Sequence, residues 1–305
     1  MIWRLPVGQL GLGCMNLSHA YGAPPAAPQG AQVLRRAIDL GVTHFDTADA
    51  YGGGRSEQAI GAWIRSRGVR PTLTTKTFNP MSADADHGLA PDRIIRQFDA
   101  SRERLGVEHV ELYLAHDYDP DVPLEQTLAL FDQLHRAGVI GAFGVSNFGA
   151  AELGQALDAS PATPPAAVQN GYSLLERGDE AEVLPLCARA GMAYIVYSPL
   201  RGGWLTGKYR RGAGYPAGSR MTQRPEPYAG LATDRTFTAL EALEGMARAR
   251  GTSMAGTALA WLLADERIAQ VVVGPGHPAH LEPVREAIQQ PLAPDERSRL
   301  SEVFG

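Results

Sequence analysis

Four ionisable side chains of this sequence have the types and the spacing for proton-transfer chemistry. The phenol of Tyr51 follows the carboxylate of Asp46 by five residues. Lys76 and His116 each close a short run of apolar and β-branched residues further along the chain. An ammonium group close to a phenol stabilises the phenolate and thereby makes the phenol a better acid. We therefore predict that Tyr51 donates a proton and that Lys76 assists it.

The roles of Asp46 and His116 also follow from their positions at the ends of predicted strands. A lysine at the end of a largely buried strand needs a counterion to offset its lost hydration, and Asp46 can supply it. The imidazole of His116 could hold a carbonyl oxygen or assist the proton transfer. Taken alone, His116 could also be a structural histidine bonded to a neighbouring loop.

Glycines mark the ends of the amphipathic stretches that lie between such runs. Each glycine is followed by one apolar residue and then by a run rich in apolar or β-branched residues. Glycine suits the left-handed conformation that closes a helix, because it has no Cβ atom to clash there. The glycines in this context are Gly41, Gly68, Gly106, Gly138 and Gly191. Helix and strand therefore alternate, which predicts βαβ units.

Eight short runs have the composition of buried parallel strands. They cover residues 7–12, 43–47, 72–77, 109–116, 142–147, 166–169, 193–198 and 270–274. This count favours an α/β fold, a closed (β/α)8 TIM barrel, with residues 1–305 in a single domain. An open doubly wound sheet is the structural alternative. Its dinucleotide motif is matched as a string by residues 8–13, but that segment leads on without a helix, so we interpret the match as fortuitous.

The carboxyl ends of the predicted strands are polar nearly throughout. They are Asp46, Lys76, His116, Ser146 with Asn147, Gln169 with Asn170, and Ser198. One polar strand end is usually a solvated cap, but six together favour a site at the mouth of the barrel. Two polar segments rich in Gly and Pro, residues 79–90 and 212–234, follow the third and seventh strands. As βα loops they would cover that site and set its selectivity.

The bulk composition excludes some classes of partner. Apolar residues make up 44% and charged residues 20% of the 305 residues, as in an ordinary globular protein. The net charge of −5 leaves no excess of cations for nucleic acid or an anionic bilayer. We find no signal peptide and no apolar run near the ~20 residues that span a membrane, which predicts a cytoplasmic protein. Cys14 and Cys187 have no metal-ligand spacing, and no metal site is expected.

At these positions the chain resembles the aldo-keto reductase superfamily, and the resemblance covers nearly the whole sequence. The matching segments are residues 10–15, 45–48 with 51–52, 56–57, 75–76, 113–116, 144–148, 169–170 with 172–177, 197–200 and 205–209. The resemblance implies that Asp46, Tyr51, Lys76 and His116 form a catalytic tetrad. It also implies hydride transfer from a reduced nicotinamide to an aldehyde or ketone, with Tyr51 giving the proton.

The same resemblance implies a set of cofactor contacts. Ser146, Asn147 and Gln169 would bind the carboxamide, and their amide and hydroxyl groups suit its donors and acceptor. Tyr197 would stack on the nicotinamide ring, although alone it could be a core aromatic. The full expected set is Gly13, Cys14, Met15, Ser146, Asn147, Gln169, Tyr197, Ser198, Pro199, Leu200, Gly274 and His280.

The segment after the last strand bears on the choice between NADP(H) and NAD(H). Relatives carry basic residues and a Glu-Asn pair after the last strand, and residues 274–284 lack both. A 2′-phosphate would then depend on His277, His280 or backbone donors. We expect NADP(H), with NAD(H) as the other possibility. Arg201 could contact the pyrophosphate or point to solvent.

The expected partner is a small-molecule carbonyl substrate, which the loops do not identify. Two other functions fit a barrel of this kind. Some barrels that resemble aldo-keto reductases serve as cofactor-binding regulatory subunits with little turnover. A metal-dependent hydrolase is suggested only by the versatility of the fold. The oligomeric state is not predicted.

Overall fold

The five glycines predicted to end helices all adopt the left-handed conformation. A computed structural model of the protein describes residues 8–18, 27–83, 86–160 and 162–305. In it, the φ angles of these glycines lie between 65° and 79°. Gly251, at φ 68°, ends another helix in the same way and was not singled out from the sequence. The helix-to-strand transitions are therefore set locally by residues without a Cβ atom.

Eight parallel strands form a closed barrel, which confirms the predicted fold class. Each strand pairs with the next in sequence, and the first pairs with the last. The strands are β1 (Leu10–Gly13), β2 (His44–Asp46), β3 (Thr72–Thr77), β4 (Val110–Ala115), β5 (Ile140–Ser146), β6 (Ala167–Gly171), β7 (Ala193–Tyr197) and β8 (Ile268–Val273). The bounds of β3 agree with the prediction. The first strand begins at Leu10, and the predicted start at Val7 lies outside the described residues.

Helices follow the strands and cover the outside of the barrel. They are α1 (Ala27–Asp39), α2 (Arg55–Arg67), α3 (Pro91–Leu105), α4 (Leu124–Arg136), α5 (Ala150–Asp158), α6 (Val183–Ala190), α7 (Arg220–Gln223), α8 (Asp234–Arg250), α9 (Met254–Leu263), α10 (Glu282–Gln289) and α11 (Pro294–Val303). A short 3₁₀ helix, Met15–Ser18, follows β1 where a nucleotide-binding α-helix of an open sheet would begin. The interpretation of residues 8–13 as a fortuitous motif match therefore agrees with the structure.

Side chains alternate between the inside of the barrel and the helical shell, as the two-residue period of a strand requires. On β4, Leu112 and Leu114 belong to a small apolar cluster inside the barrel, whereas Tyr113 belongs to the large core under the helices. On β2 the inward side is polar. His44 bonds the hydroxyls of Thr72 and Thr74 at 2.9 Å each. Burial lowers the pKa of His44 to about 4, so a neutral imidazole lies one layer below Asp46.

A buried arginine fixes the first of the two long loops. Arg93 on α3 is 2% exposed. Its guanidinium donates to the carbonyls of Gly88 and Asn79 and to the hydroxyl of Thr77, at 2.9–3.0 Å. The loop after β3 is therefore tied to the end of the strand that carries Lys76. The second long segment, after β7, includes α7.

Candidate active site

A buried ion pair lies at the carboxyl ends of β2 and β3. Nζ of Lys76 is 2.6 Å from Oδ1 of Asp46 and donates also to the carbonyl of Thr47 at 2.8 Å. The lysine side chain is fully buried, and that of Asp46 is 5% exposed. The second carboxylate oxygen of Asp46 accepts from Nε2 of Gln169 on β6 at 2.8 Å. The counterion predicted for Lys76 is thus in place, and hydrogen bonds offset the cost of burying both charges.

Tyr51 lies beside this pair on the loop after β2. Nζ of Lys76 is 5.3 Å from the centre of the Tyr51 ring. The loop is held against the 3₁₀ helix that follows β1, because a Cβ atom on Gly52 (φ 63°) would lie 2.2 Å from the carbonyl oxygen of Ser18. Only glycine fits this approach. The position of the phenol therefore depends on a glycine that follows it directly.

His116 completes the group at the end of β4. Its ring is 5.5 Å from that of Tyr51, at an interplanar angle of 74°. Burial and the charge of Lys76 lower the pKa of His116 to about 3, so its imidazole is neutral at physiological pH. The buried Nδ1 of His116 has no hydrogen-bond partner among the described residues. A neutral imidazole has one N–H donor, which suits it to bind a carbonyl oxygen.

The predicted carboxamide ligands lie on the neighbouring strand ends. The hydroxyl of Tyr197 donates to Oδ1 of Asn147 at 2.6 Å, and Nδ2 of Asn147 donates to the carbonyl of His116 at 2.8 Å. The hydroxyl of Ser146 donates to the carbonyl of Gln169 at 2.7 Å. Burial and the charge of Glu176 raise the pKa of Tyr197 to about 12, so its hydroxyl stays protonated. These groups form one network around the mouth.

The donor set fits a nicotinamide cofactor. Gln169 holds Asp46 through Nε2, and its Oε1 has no donor in the described part of the chain, which leaves an acceptor for a carboxamide. The ring of Tyr197 is half-exposed and held at its hydroxyl, so one face can carry a flat ring. After β7, Ser198 (φ 56°) and Arg201 (φ 45°) have left-handed backbones. The turn is closed internally, because the N–H of Arg201 donates to the carbonyl of Ser198 at 2.8 Å and that of Gly203 to the carbonyl of Leu200 at 2.9 Å.

The remaining predicted contacts differ in accessibility. Met15 and Leu200 are half-buried, Gly274 and His280 are exposed, and Pro199 is buried. Gly13 is half-buried at the end of β1, paired in register with Asp46. Cys14 is fully buried, and its backbone N–H and carbonyl both bind other parts of the protein. A cofactor role for Cys14 remains a prediction.

Two cations without an assigned role in the sequence analysis, Arg220 and Lys208, lie near the end of β8. Arg220 on α7 donates to Oδ1 of Asn16 at 3.1 Å, and Nδ2 of Asn16 donates to the carbonyl of Gly274 at 2.7 Å. Burial and the charges of His277 and Lys208 lower the pKa of His280. The loop after β7 thus brings basic side chains to a segment that lacks them. The signal in the sequence for Arg220 was its place in the loop, residues 212–234, that was expected to cover the mouth.

Arg201 contacts the protein and does not simply point to solvent, while its contact with a pyrophosphate stays a prediction. Its Nη1 lies 2.5 Å from Oε2 of Glu176. Its guanidinium also lies 5.8 Å from the centre of the Tyr228 ring. A Cβ atom on Gly202 would lie 2.5 Å from that ring, so Tyr228 packs directly on the backbone after β7. Arg201 therefore helps to hold the covering loop in place.

A second polar cluster is buried on the helical side of β3. Glu57 accepts from the hydroxyl of Thr75 at 2.6 Å and from Nε of Arg104 at 2.7 Å. Asp49 is fully buried, and Oδ2 of its carboxyl has no partner among the described residues. Burial and the nearby Glu57 raise the pKa of Asp49 to about 7. Asp49 lies two residues before Tyr51. Its protonation state therefore affects the loop segment that positions the phenol.

Metal-ligating clusters and membrane-spanning helices are both absent from the described residues. Within them, no group of three or more His, Cys, Asp or Glu side chains is arranged to hold a metal ion. Over the same ranges, every helix is too short or too polar to cross a membrane.

Comparison with known proteins gives a consistent set of relatives. The model of the aldo/keto reductase family matches residues 9–304. The chain is 31% identical over 293 residues to the L-glyceraldehyde 3-phosphate reductase of Escherichia coli, covering 92% of this chain and 83% of that protein. It is 32% identical over 289 residues to a putative voltage-gated potassium channel subunit beta of Schizosaccharomyces pombe, covering 89% and 83%.

A solved structure supports the fold. The glycerol dehydrogenase of Gluconobacter oxydans superposes with a TM-score of 0.85 at 24% sequence identity. The match covers 99% of this chain and 93% of that one.

Proposed function

Because the chain belongs to the aldo/keto reductase family and is a nicotinamide-dependent oxidoreductase that reduces carbonyl groups, we propose that Tyr51 is its general acid. The observation that carries this proposal is the buried Lys76–Asp46 ion pair next to the Tyr51 ring. A positive charge there stabilises the phenolate that remains once the proton has left. His116, neutral and within ring contact of Tyr51, would bind the carbonyl oxygen and orient it toward the phenol.

The remaining residues hold the cofactor and keep these groups in place. A bound reduced nicotinamide supplies the hydride that the carbonyl carbon accepts. Ser146, Asn147 and Gln169 would hold its carboxamide, and Tyr197 would support the ring. Gln169 has a further task, since it fixes the orientation of the Asp46 carboxylate. A group that bridges the ion pair and the cofactor site couples the position of the hydride donor to that of the acid.

We assign NADP(H) as the preferred cofactor. The support for this is the presence of Lys208 and Arg220 near the end of β8, where the adjacent chain offers only His277 and His280. Cationic side chains bind a phosphate by charge-assisted hydrogen bonds, which a 2′-hydroxyl would not exploit. Comparison of kcat/KM for NADPH and NADH tests the assignment, and a preference for NADH would contradict it.

The substrate class proposed for this site is a short hydroxyaldehyde. The support is the similarity to a reductase named for L-glyceraldehyde 3-phosphate. The protein would work in the cytoplasm as one domain of residues 1–305.

A regulatory role is the second candidate function, because one relative is named as a potassium channel subunit. Asp46, Tyr51, Lys76 and His116 are all present, which favours catalytic turnover over a regulatory role.

The experiment that tests the general acid is the Tyr51→Phe substitution. It removes the proton donor and leaves the ring, so we expect NADPH binding to persist and kcat with glyceraldehyde to fall by about 10²–10⁴-fold. Cofactor binding is followed by quenching of protein fluorescence. Tyr215→Phe is the matched control, since Tyr215 is exposed and packs on Tyr209. Full activity of Tyr51→Phe would refute the assignment, and negligible wild-type turnover of all carbonyls would favour the regulatory role.

A further inference from the structure

The charges around the mouth are divided between opposite sides of the barrel. β4 and β8 are four strands apart in a ring of eight, so they face each other across the mouth. The cations Lys208 and Arg220 lie near the end of β8. On the β4 side, the residue after His116 is an aspartate, Asp117. The two sides therefore present opposite charges to a bound molecule.

On the β4 side of the mouth, Asp117 has no counterion among the described residues. Its Oδ1 accepts from the backbone N–H of Tyr118 at 2.9 Å, and it forms no ion pair with any residue in the described ranges. By contrast, Asp46 is paired with Lys76. Burial raises the pKa of Asp117, in keeping with its half-buried position and missing counterion. Its negative charge is thus left uncompensated by the protein.

The position of Asp117 puts this charge within reach of the substrate groups. Its neighbour His116 contacts the Tyr51 ring, and the carbonyl of His116 accepts from Asn147. The pKa of Tyr197, whose hydroxyl donates to Asn147, is raised mainly by burial and by Glu176, and Asp117 adds a smaller effect of the same sign. A negative charge therefore lies on the residue next to the histidine that would bind the carbonyl oxygen.

The surface beyond Asp117 has the same sign. A groove next to it is lined by Tyr118 and Gln155 together with the acidic residues Asp121, Glu125 and Asp158, and no lysine or arginine lines it. Carboxylates grouped in this way repel an approaching anion before it binds. The acidic character is therefore continuous from the rim to the outer surface on the β4 side.

We propose that Asp117 selects uncharged hydroxy-carbonyl substrates and discriminates against phosphorylated ones. This inference rests on the proposed function. A carboxylate only accepts hydrogen bonds, so it binds the hydroxyl groups of a substrate, whereas a phosphoryl group offers it further negative charge. The cations near β8 would not offset this effect, because in the proposed function they bind the 2′-phosphate of the cofactor.

The test compares D- or L-glyceraldehyde with glyceraldehyde 3-phosphate on the holoenzyme. We expect the wild type to have the higher kcat/KM for glyceraldehyde. Asp117→Asn keeps the size of the side chain and an acceptor for Tyr118. It should reduce the selectivity about tenfold, mainly by lowering KM for the phosphorylated substrate, because a like charge in a partly solvated site contributes on this scale. Asp117→Glu should retain the selectivity.

Asp121→Asn is the matched control, since it removes the same charge further along the groove. It should change the selectivity less than about twofold. The proposal is overturned if Asp117→Asn affects both substrates equally, if Asp121→Asn has the same effect, or if the wild type prefers the phosphate. Absence of turnover with both compounds would instead contradict the proposed function.

Binding gives a second readout that does not need turnover. Glycerol 3-phosphate should raise the Tm of the NADP⁺-loaded wild type less than that of Asp117→Asn, at equal concentration. Equal shifts in the two proteins would also overturn the proposal. If Asp117→Asn does not fold, Asp117→Ser removes the same charge and takes its place in both measurements.

Discussion

The buried pair of Asp46 and Lys76 makes a quantitative prediction about stability. The two charges are 2.6 Å apart, and Lys76 is fully buried. Removal of one partner leaves the other charge unpaired in a low-dielectric site, which costs about 3–5 kcal/mol. In Asp46→Asn the new amide NH₂ must also face a donor, either the ammonium of Lys76 or Nε2 of Gln169. We therefore expect the upper part of that range for Asp46→Asn and the lower part for Lys76→Met.

The double variant separates pairing from simple loss of contacts. With both charges gone, the amide that replaces the Asp46 carboxylate can still accept from Gln169, and one of its two N–H groups can donate to the Thr47 carbonyl that Lys76 releases. The other buried N–H is left without a partner, at a cost of about 1–3 kcal/mol. The sum of the single costs is about twice the cost of either one, so the coupling energy should reach about 3 kcal/mol or more. Equilibrium urea unfolding, followed by tryptophan fluorescence, measures all four proteins. Additive losses of stability would refute the view that the ion pair is a single electrostatic unit. All three variants should also lack carbonyl reduction.

Three further predictions follow from the charges of the site. The pKa of Asp49, raised from 3.8 to about 7, makes the free energy of unfolding fall as pH rises across that window, by at most about 4 kcal/mol. Asp49→Asn should therefore stabilise the protein at pH 8 and much less at pH 4 in urea unfolding. The pKa of His116 near 3 predicts that its ring NMR shifts stay constant from pH 8 to pH 5, and a midpoint near 6.5 would contradict the burial argument. Lys208→Ala should raise KM for NADPH about tenfold or more and KM for NADH less than twofold, because one charge-assisted bond to phosphate is lost.

The sequence predicted the features that depend on local chemistry. The left-handed glycines end helices wherever they occur in the predicted context, and the apolar runs between them form the strands. Asp46, Lys76 and His116 converge because parallel strands of a barrel present their carboxyl ends at one mouth. To predict this convergence, only the carboxyl ends of the strands have to be located correctly. An error of one or two residues at the start of a strand, as for β5, which begins at Ile140 instead of Ala142, does not affect it.

The features that were missed depend on contacts between loops. Arg220 reaches Asn16 across 204 residues of sequence, and neither segment has a periodic pattern that could indicate the contact. The partner of Arg201 was missed for the same reason, since Glu176 belongs to the connection after β6. The charge state of Asp49 depends on its complete burial, which its position in a polar loop segment did not predict.

The charged groups of the mouth lie at the ends of different strands, and this placement predicts how combined variants behave. The acid and its ion pair lie at β2 and β3, the cations near β8, and the uncompensated carboxylate after β4. Groups on opposite sides of an eight-stranded ring do not share partners, and effects at such distant sites add. Lys208→Ala and Asp117→Asn should therefore combine additively in kcat/KM for NADPH with glyceraldehyde 3-phosphate. Strong coupling between them would mean that one phosphate contacts both sides, and the separation of cofactor and substrate subsites would then be wrong.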